Sequence, residues 1–216
     1  EFRRVLFRSV SGSAITILLF SFLEFAFLLP IFLYCKDKQI AFHSYVKKQL
    51  YKPFSRRKTI ENLIYAIIFC IAMLLFSSFI ITGTAIAINI IFGEWATIVA
   101  VENANSINIS EPGDLDIFLY ATISFCIVAP CEELFFRSFL LHEPGLSLRS
   151  RVIVSTFSFY VYHVFASFNI FTFLLYLPYY TVWGFLLCIQ QVYIAKYRTL
   201  FPIITHGLFN FLLFLI

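Results

Sequence analysis

The chain has 216 residues, of which 61% are apolar, 20% aromatic and only 13% charged, with a mean hydropathy of +0.88. A soluble domain carries about 25% charge, so the composition argues against a soluble globular enzyme, a disordered chain or a nucleic-acid-binding domain. The formal charge of +4 therefore matters less than where the charges sit.

Residues 1–9, Glu-Phe-Arg-Arg-Val-Leu-Phe-Arg-Ser, back-translate to GAG TTC AGA CGT GTG CTC TTC CGA TCT. That string is similar to a short-read sequencing adapter read in frame, so the segment is excluded from fold reasoning. The chain from Val10 is expected to be a truncated gene product. A membrane-spanning helix needs roughly 20 mainly apolar residues, each rising about 1.5 Å across about 30 Å of hydrocarbon. Such windows run at about 12–34, 62–92, 115–141, 152–170, 172–195 and 199–216. They predict an all-α, polytopic membrane bundle of about six transmembrane helices. A single membrane domain is the simplest description, with N-terminal helices over 10–114 and a polar-site region over 115–216.

The connections test this count. The first holds Lys36, Lys38, Lys47, Lys48, Lys52, Arg56, Arg57 and Lys58, whereas the second holds Glu94, Glu102, Glu111, Asp114 and Asp116 and no base. Arg149 and Arg151 lie between windows three and four, nothing basic between four and five, and Lys196 and Arg198 between five and six. Basic and non-basic connections alternate, as the positive-inside rule requires. The expectation is an outside N-terminus, a cytoplasmic first loop and an outside C-terminus, in a multi-pass protein of a bacterial cell membrane. Phe42, Tyr45, Val46, Leu50, Tyr51 and Phe54 give the first loop an amphipathic character suited to a membrane surface. Asn108-Ile109-Ser110 matches a glycosylation acceptor pattern, too short and common to carry weight. Cys35, Cys70, Cys126, Cys131 and Cys188 form no Cys-x-x-Cys pair and read as small buried hydrophobes.

Charged groups in a span cost at least about 2.5–3.5 kcal/mol at mid-bilayer and so mark buried function. Window three carries Glu132, Glu133 and Arg137, window four carries His163, window six carries His206 and Asn210, and window one carries a lone Glu24. Helical rise places Glu132 roughly 15 Å, His163 roughly 18 Å, and His206 and Asn210 roughly 12 and 18 Å from the cytoplasmic ends of their helices. Residues four apart share a face, which sets His206 above Asn210 and Glu133 within reach of Arg137. A carboxylate and an imidazole at one depth can share a water and deprotonate it for attack on a carbonyl. A second imidazole and an amide can stabilise the oxyanion. Alternatively, Glu132, His163 and His206 could hold a zinc ion that activates the water. The plainer readings are a structural Glu133–Arg137 ion pair, a His163 satisfied by a neighbouring helix, and His206 and Asn210 bonding across helices. Glu24 is either a site-lining carboxylate or a packing group.

Glu132-Glu133-x-x-x-Arg137, Phe159-x-x-x-His163 and His206-x-x-x-Asn210, in that order, resemble the three-motif signature of the CAAX prenyl protease and bacteriocin-processing (CPBP) intramembrane protease family, which includes the type II CAAX prenyl endopeptidases. Ser155-Thr156, Gly184 and Pro202 fit as well, over about residues 115–215. The resemblance implies an all-helical membrane endopeptidase. In it Glu132 and His163 would activate water, His206 and Asn210 would stabilise the oxyanion or complete a metal site, and Glu133 and Arg137 would support Glu132. Ser138 and Cys188 stand where the family commonly has glycine, which concerns helix packing more than chemistry. The implied partners are membrane lipid and a peptide or lipidated protein, not nucleic acid. A non-hydrolytic protein of the same fold, serving bacteriocin self-immunity or partner scaffolding, is the alternative. A proton-coupled transporter is disfavoured by the lack of a second, symmetry-related polar helix pair.

Overall fold

The computed structural model describes residues 21–50, 55–105, 114–142, 145–165 and 169–215. The adapter-like segment, Lys52, Tyr51, Phe54, Asn108-Ile109-Ser110 and Glu111 lie outside the described residues. Those described form eight helices and no strand. Helix α1, Leu28–Asp37, follows a 3-10 turn at Glu24–Phe27; α2 is Phe42–Leu50, α3 Arg56–Phe92 and α4 Glu94–Asn105. Helix α5 covers residues 114–142, α6 Leu148–Val164, α7 Ile170–Ile189 with a wide turn at Gln190–Ile194, and α8 Leu200–Leu215.

Short polar caps start these apolar helices. Ser147 Oγ accepts from the Ser150 amide at 3.1 Å, and Asn169 Oδ1 accepts from Phe171 at 2.9 Å and Thr172 at 3.2 Å, supplying acceptors for orphan N–H groups. Helix α3 stops at Gly93, whose φ of +88° suits a residue without a Cβ. Three helices are long and apolar enough to cross a bilayer, Arg56–Phe92, Ile117–His142 and Ile170–Ile194, with Leu200–Leu213 a shorter apolar helix. The described residues of the remaining predicted windows are largely helical too, but α6 has 17 residues and α1 has ten.

One core joins the molecule. Met73 and Ile81 of α3, Ala96 and Ala100 of α4, Phe136 of α5, Phe159 of α6, Tyr179 and Trp183 of α7 and Phe209 of α8 are buried in a single cluster. It draws on residues from both sides of position 114. The opposite surface is apolar: Phe79, Ile90 and Ile91 of α3 are 74%, 78% and 68% exposed, as lipid-facing side chains are.

Three features differ from expectation. The second connection contains α4, where a loop was expected: buried Ala96 and Ala100, four residues apart, press it onto α3 and α7. The amphipathic α2 buries Tyr45 with Ile31, Cys35 and Leu134, so its apolar face meets protein as well as the surface. Four of the cysteines are buried, but Cys126 is exposed, and all five are free.

Helix α5 carries the departures that shape the site. Wide, π-helical turns at Ser124–Val128 and Leu134–Phe139 bracket the short α-helical run Ala129–Glu133. Pro130 has no N–H to offer the preceding turn and crowds its carbonyl, which accounts for the first. In the second, Ser155 Oγ of α6 donates to the Phe136 carbonyl at 2.7 Å. Such widened turns are frequent at functional sites.

Two glycines let neighbouring helices close around this segment. A Cβ on Gly207 would sit 2.7 Å from Phe125 Cδ2, so α8 can lie on the first wide turn only with no side chain there. A Cβ on Gly184 would meet Phe159 Cδ1 at 3.3 Å and Thr156 Cγ2 at 3.4 Å, where α7 crosses α6.

Candidate active site

The three polar helices converge. Glu132 and Glu133 leave the α-helical run of α5 on neighbouring faces, buried at 2% and 0% exposure. His206 Nδ1 lies 2.8 Å from Glu133 Oε1, and Arg137 Nε lies 3.4 Å from Glu133 Oε2. The Arg137 guanidinium also sits 4.1 Å over the Phe159 ring and reaches the Gly184 carbonyl at 3.5 Å. Each contact compensates a charge removed from water, as a buried ion requires. The spacing-based pairing of Glu133 with Arg137 is therefore present, with His206 as a further partner that spacing did not reveal.

Glu132 is treated differently. His163 Nε2 stands 3.7 Å from Glu132 Oε2, and His206 Nε2 stands 3.9 Å from the same oxygen. Neither distance is a hydrogen bond, and Oε2 is buried without a partner. On its other edge, His163 Nδ1 meets the Phe159 carbonyl at 2.8 Å. A carbonyl only accepts, so Nδ1 carries the proton and Nε2 turns a lone pair toward Glu132. Tyr180 stacks on the imidazole at 4.4 Å and Phe159 meets it tilted at 4.3 Å between ring centroids.

Glu132 Oε2 thus faces two Nε2 atoms just beyond hydrogen-bond reach, separations that one water lying to the side could bridge. Glu132 Oε2 and His163 Nε2 are both acceptors, and a water between them would satisfy both. Two imidazoles and a carboxylate are also the donor types zinc takes. Here the spacings of 3.7 and 3.9 Å exceed the roughly 3.3 Å between ligands of a tetrahedral zinc with bonds near 2.0–2.1 Å. Among the described residues no three His, Cys, Asp or Glu side chains are grouped to hold a metal. A zinc ion on Glu132, His163 and His206 would need these groups drawn about 0.5 Å closer than they stand.

Asn210 is half-buried one turn beyond His206 and makes no hydrogen bond to the cluster. Glu24 has a partner that the sequence did not reveal: the Tyr162 hydroxyl donates to its Oε1 at 2.6 Å. Tyr180 was likewise missed. The only sequence signal for it is a polar-tipped aromatic just after Pro178, a position at which a helix bends toward its neighbours.

Residues 114–212 match the model of the family described as Type II CAAX prenyl endopeptidase Rce1-like. This region is similar to that family. It takes in α5 to α7 and most of α8, and with them Glu132, Glu133, Arg137, His163, His206 and Asn210; Glu24 lies outside it. No curated protein and no solved structure matches the chain.

Proposed function

We propose that this chain is an intramembrane endopeptidase in which Glu132 and His163 activate a water for attack on a peptide carbonyl. The observation that carries this reading is the unpaired Glu132 Oε2, buried and faced by two imidazole Nε2 atoms at 3.7 and 3.9 Å. Glu132 takes one water proton while His163 Nε2 accepts a hydrogen bond from the other, and the hydroxide adds to the carbonyl carbon. Glu133 and Arg137 hold His206 in place, and its Nε2 as a donor, with the Asn210 amide, stabilises the oxyanion. Glu132 returns the proton to the leaving amide nitrogen, the C–N bond breaks, and a carboxylic acid and an amine depart.

The substrate class that the family description supports is a peptide or prenylated protein reaching the site from the membrane. The distribution of Lys and Arg supports an orientation with the Lys36–Lys58 connection in the cytoplasm. Cleavage of a reporter peptide in proteoliposomes tests the assignment. Glu132→Gln, His163→Ala and His206→Ala should each lower turnover by about 10²–10⁴-fold without reducing folded protein. Full activity in any two of them overturns it.

A further inference from the structure

Glu24 lies outside the matched region, yet it reaches the edge of the cluster. Its 3-10 turn, Glu24–Phe27, packs on the Ala129–Glu133 run of α5. Tyr162 donates to Glu24 Oε1 at 2.6 Å, and the Tyr162 ring meets His163 edge-on at 4.9 Å. The remaining oxygen, Glu24 Oε2, is buried and accepts no hydrogen bond. Buried acceptors are rarely left without a donor, so this one is matched to a group that arrives with a ligand.

The surrounding space indicates which group. A cavity of about 510 Å³ takes in Leu23 and Glu24, and another of about 500 Å³ takes in Phe136 and Val161. Phe27, Phe135 and Tyr162 are the wall common to both. The two form an almost wholly apolar track along the seam between the start of α1 and α6, walled by Tyr162, whose ring meets that of His163. Apolar side chains suit such a track. A peptide lying in it extended has backbone N–H groups with neither water nor a helical partner, and each needs an acceptor. A carboxylate gives a stronger hydrogen bond than a neutral oxygen.

We propose that Glu24 is a substrate-binding residue: Tyr162 holds one carboxylate oxygen, and the other accepts a backbone N–H of a peptide lying along the α1–α6 seam. This rests on the endopeptidase reading and adds to it a residue outside the three motifs.

The test uses the full chain in proteoliposomes, with a cleaved reporter peptide and a series in which each backbone amide near the scissile bond is N-methylated in turn. Glu24→Ala should raise KM about tenfold, the loss of one hydrogen bond to a charged group, with kcat within about twofold. Glu24→Gln, which keeps one carbonyl oxygen, should recover part of that loss. One N-methylated peptide should be cut about tenfold less well by the wild type and no worse than its parent by Glu24→Ala. If Glu24→Ala matches the wild type, or leaves every N-methyl penalty in place, the proposal is overturned. A fall in kcat alone, with no interplay with N-methylation, assigns Glu24 a packing role and also overturns it. Binding of the same peptides to Glu132→Gln, read by fluorescence anisotropy, judges Glu24 without turnover. Absence of cleavage by the wild type thus counts against the endopeptidase reading, while the binding series still decides the role of Glu24.

Discussion

On the α8 side of the cluster, Glu133 is held by His206 at 2.8 Å and Arg137 at 3.4 Å, whereas on the α6 side Glu132 faces His163 across 3.7 Å. The two carboxylates are adjacent in sequence and both buried, and an Oε2 of each makes no hydrogen bond. Yet Glu133 has an ion-pair partner at 2.8 Å on one oxygen and at 3.4 Å on the other, whereas the nearest partners of Glu132 Oε2 are imidazoles at 3.7 and 3.9 Å. A group already satisfied has little left to offer a reactant, whereas an unsatisfied one in low dielectric interacts strongly with whatever enters. The closed side therefore fixes positions and the open side is left for chemistry. His163 is accordingly the more exposed imidazole, at 19% against 3% for His206.

Removing the cation from the closed side should have the largest effect on folding. Arg137→Leu leaves Glu133 buried with only His206 beside it, and should destabilise the protein by about 3–5 kcal/mol, read as a lowered thermal midpoint in detergent. Next comes the seating of the closed side. Gly207→Ala puts a Cβ 2.7 Å from Phe125, moving α8 and with it His206. A displacement near 1 Å costs about 10²-fold in turnover, and Phe125→Ala in the same chain should restore most of it. The smallest effect expected is at the second wide turn. Ser155→Ala removes the hydrogen bond to the Phe136 carbonyl and should cost about 1 kcal/mol, measured by the same thermal assay. If Ser155→Ala proves as damaging as Arg137→Leu, the division into a closed and an open side fails.

Much of this was legible in the chain. Helical rise and the alternation of basic connections set Glu132, His163 and His206 at similar depths, and in the structure both imidazoles lie within 3.9 Å of one oxygen. Four-residue spacing paired Glu133 with Arg137, because a side chain one turn away is reached without tertiary information. The His206–Glu133 contact was not legible: it depends on the rotation of α8 against α5, which Gly207 and Phe125 set sterically. Helix α4 escaped notice because its buried face consists of alanines flanked by Glu94 and Glu102, which add little to hydropathy. The Tyr162–Glu24 hydrogen bond joins residues 138 apart, and nothing local announces it.

The wide turn at Leu134–Phe139 bears on how this sequence can vary in length. It holds about one residue more than an α turn, so deleting one residue and tightening it keeps the helix on either side in nearly the same phase and changes only the spacing within the turn. Glu133 lies just before that turn and Arg137 within it, so their pairing depends on keeping the extra residue. Exchanging one apolar side chain for another along α5 leaves that spacing untouched. A one-residue gap between Glu133 and Arg137 should therefore break their pairing, while one between Arg137 and Leu140 should spare it.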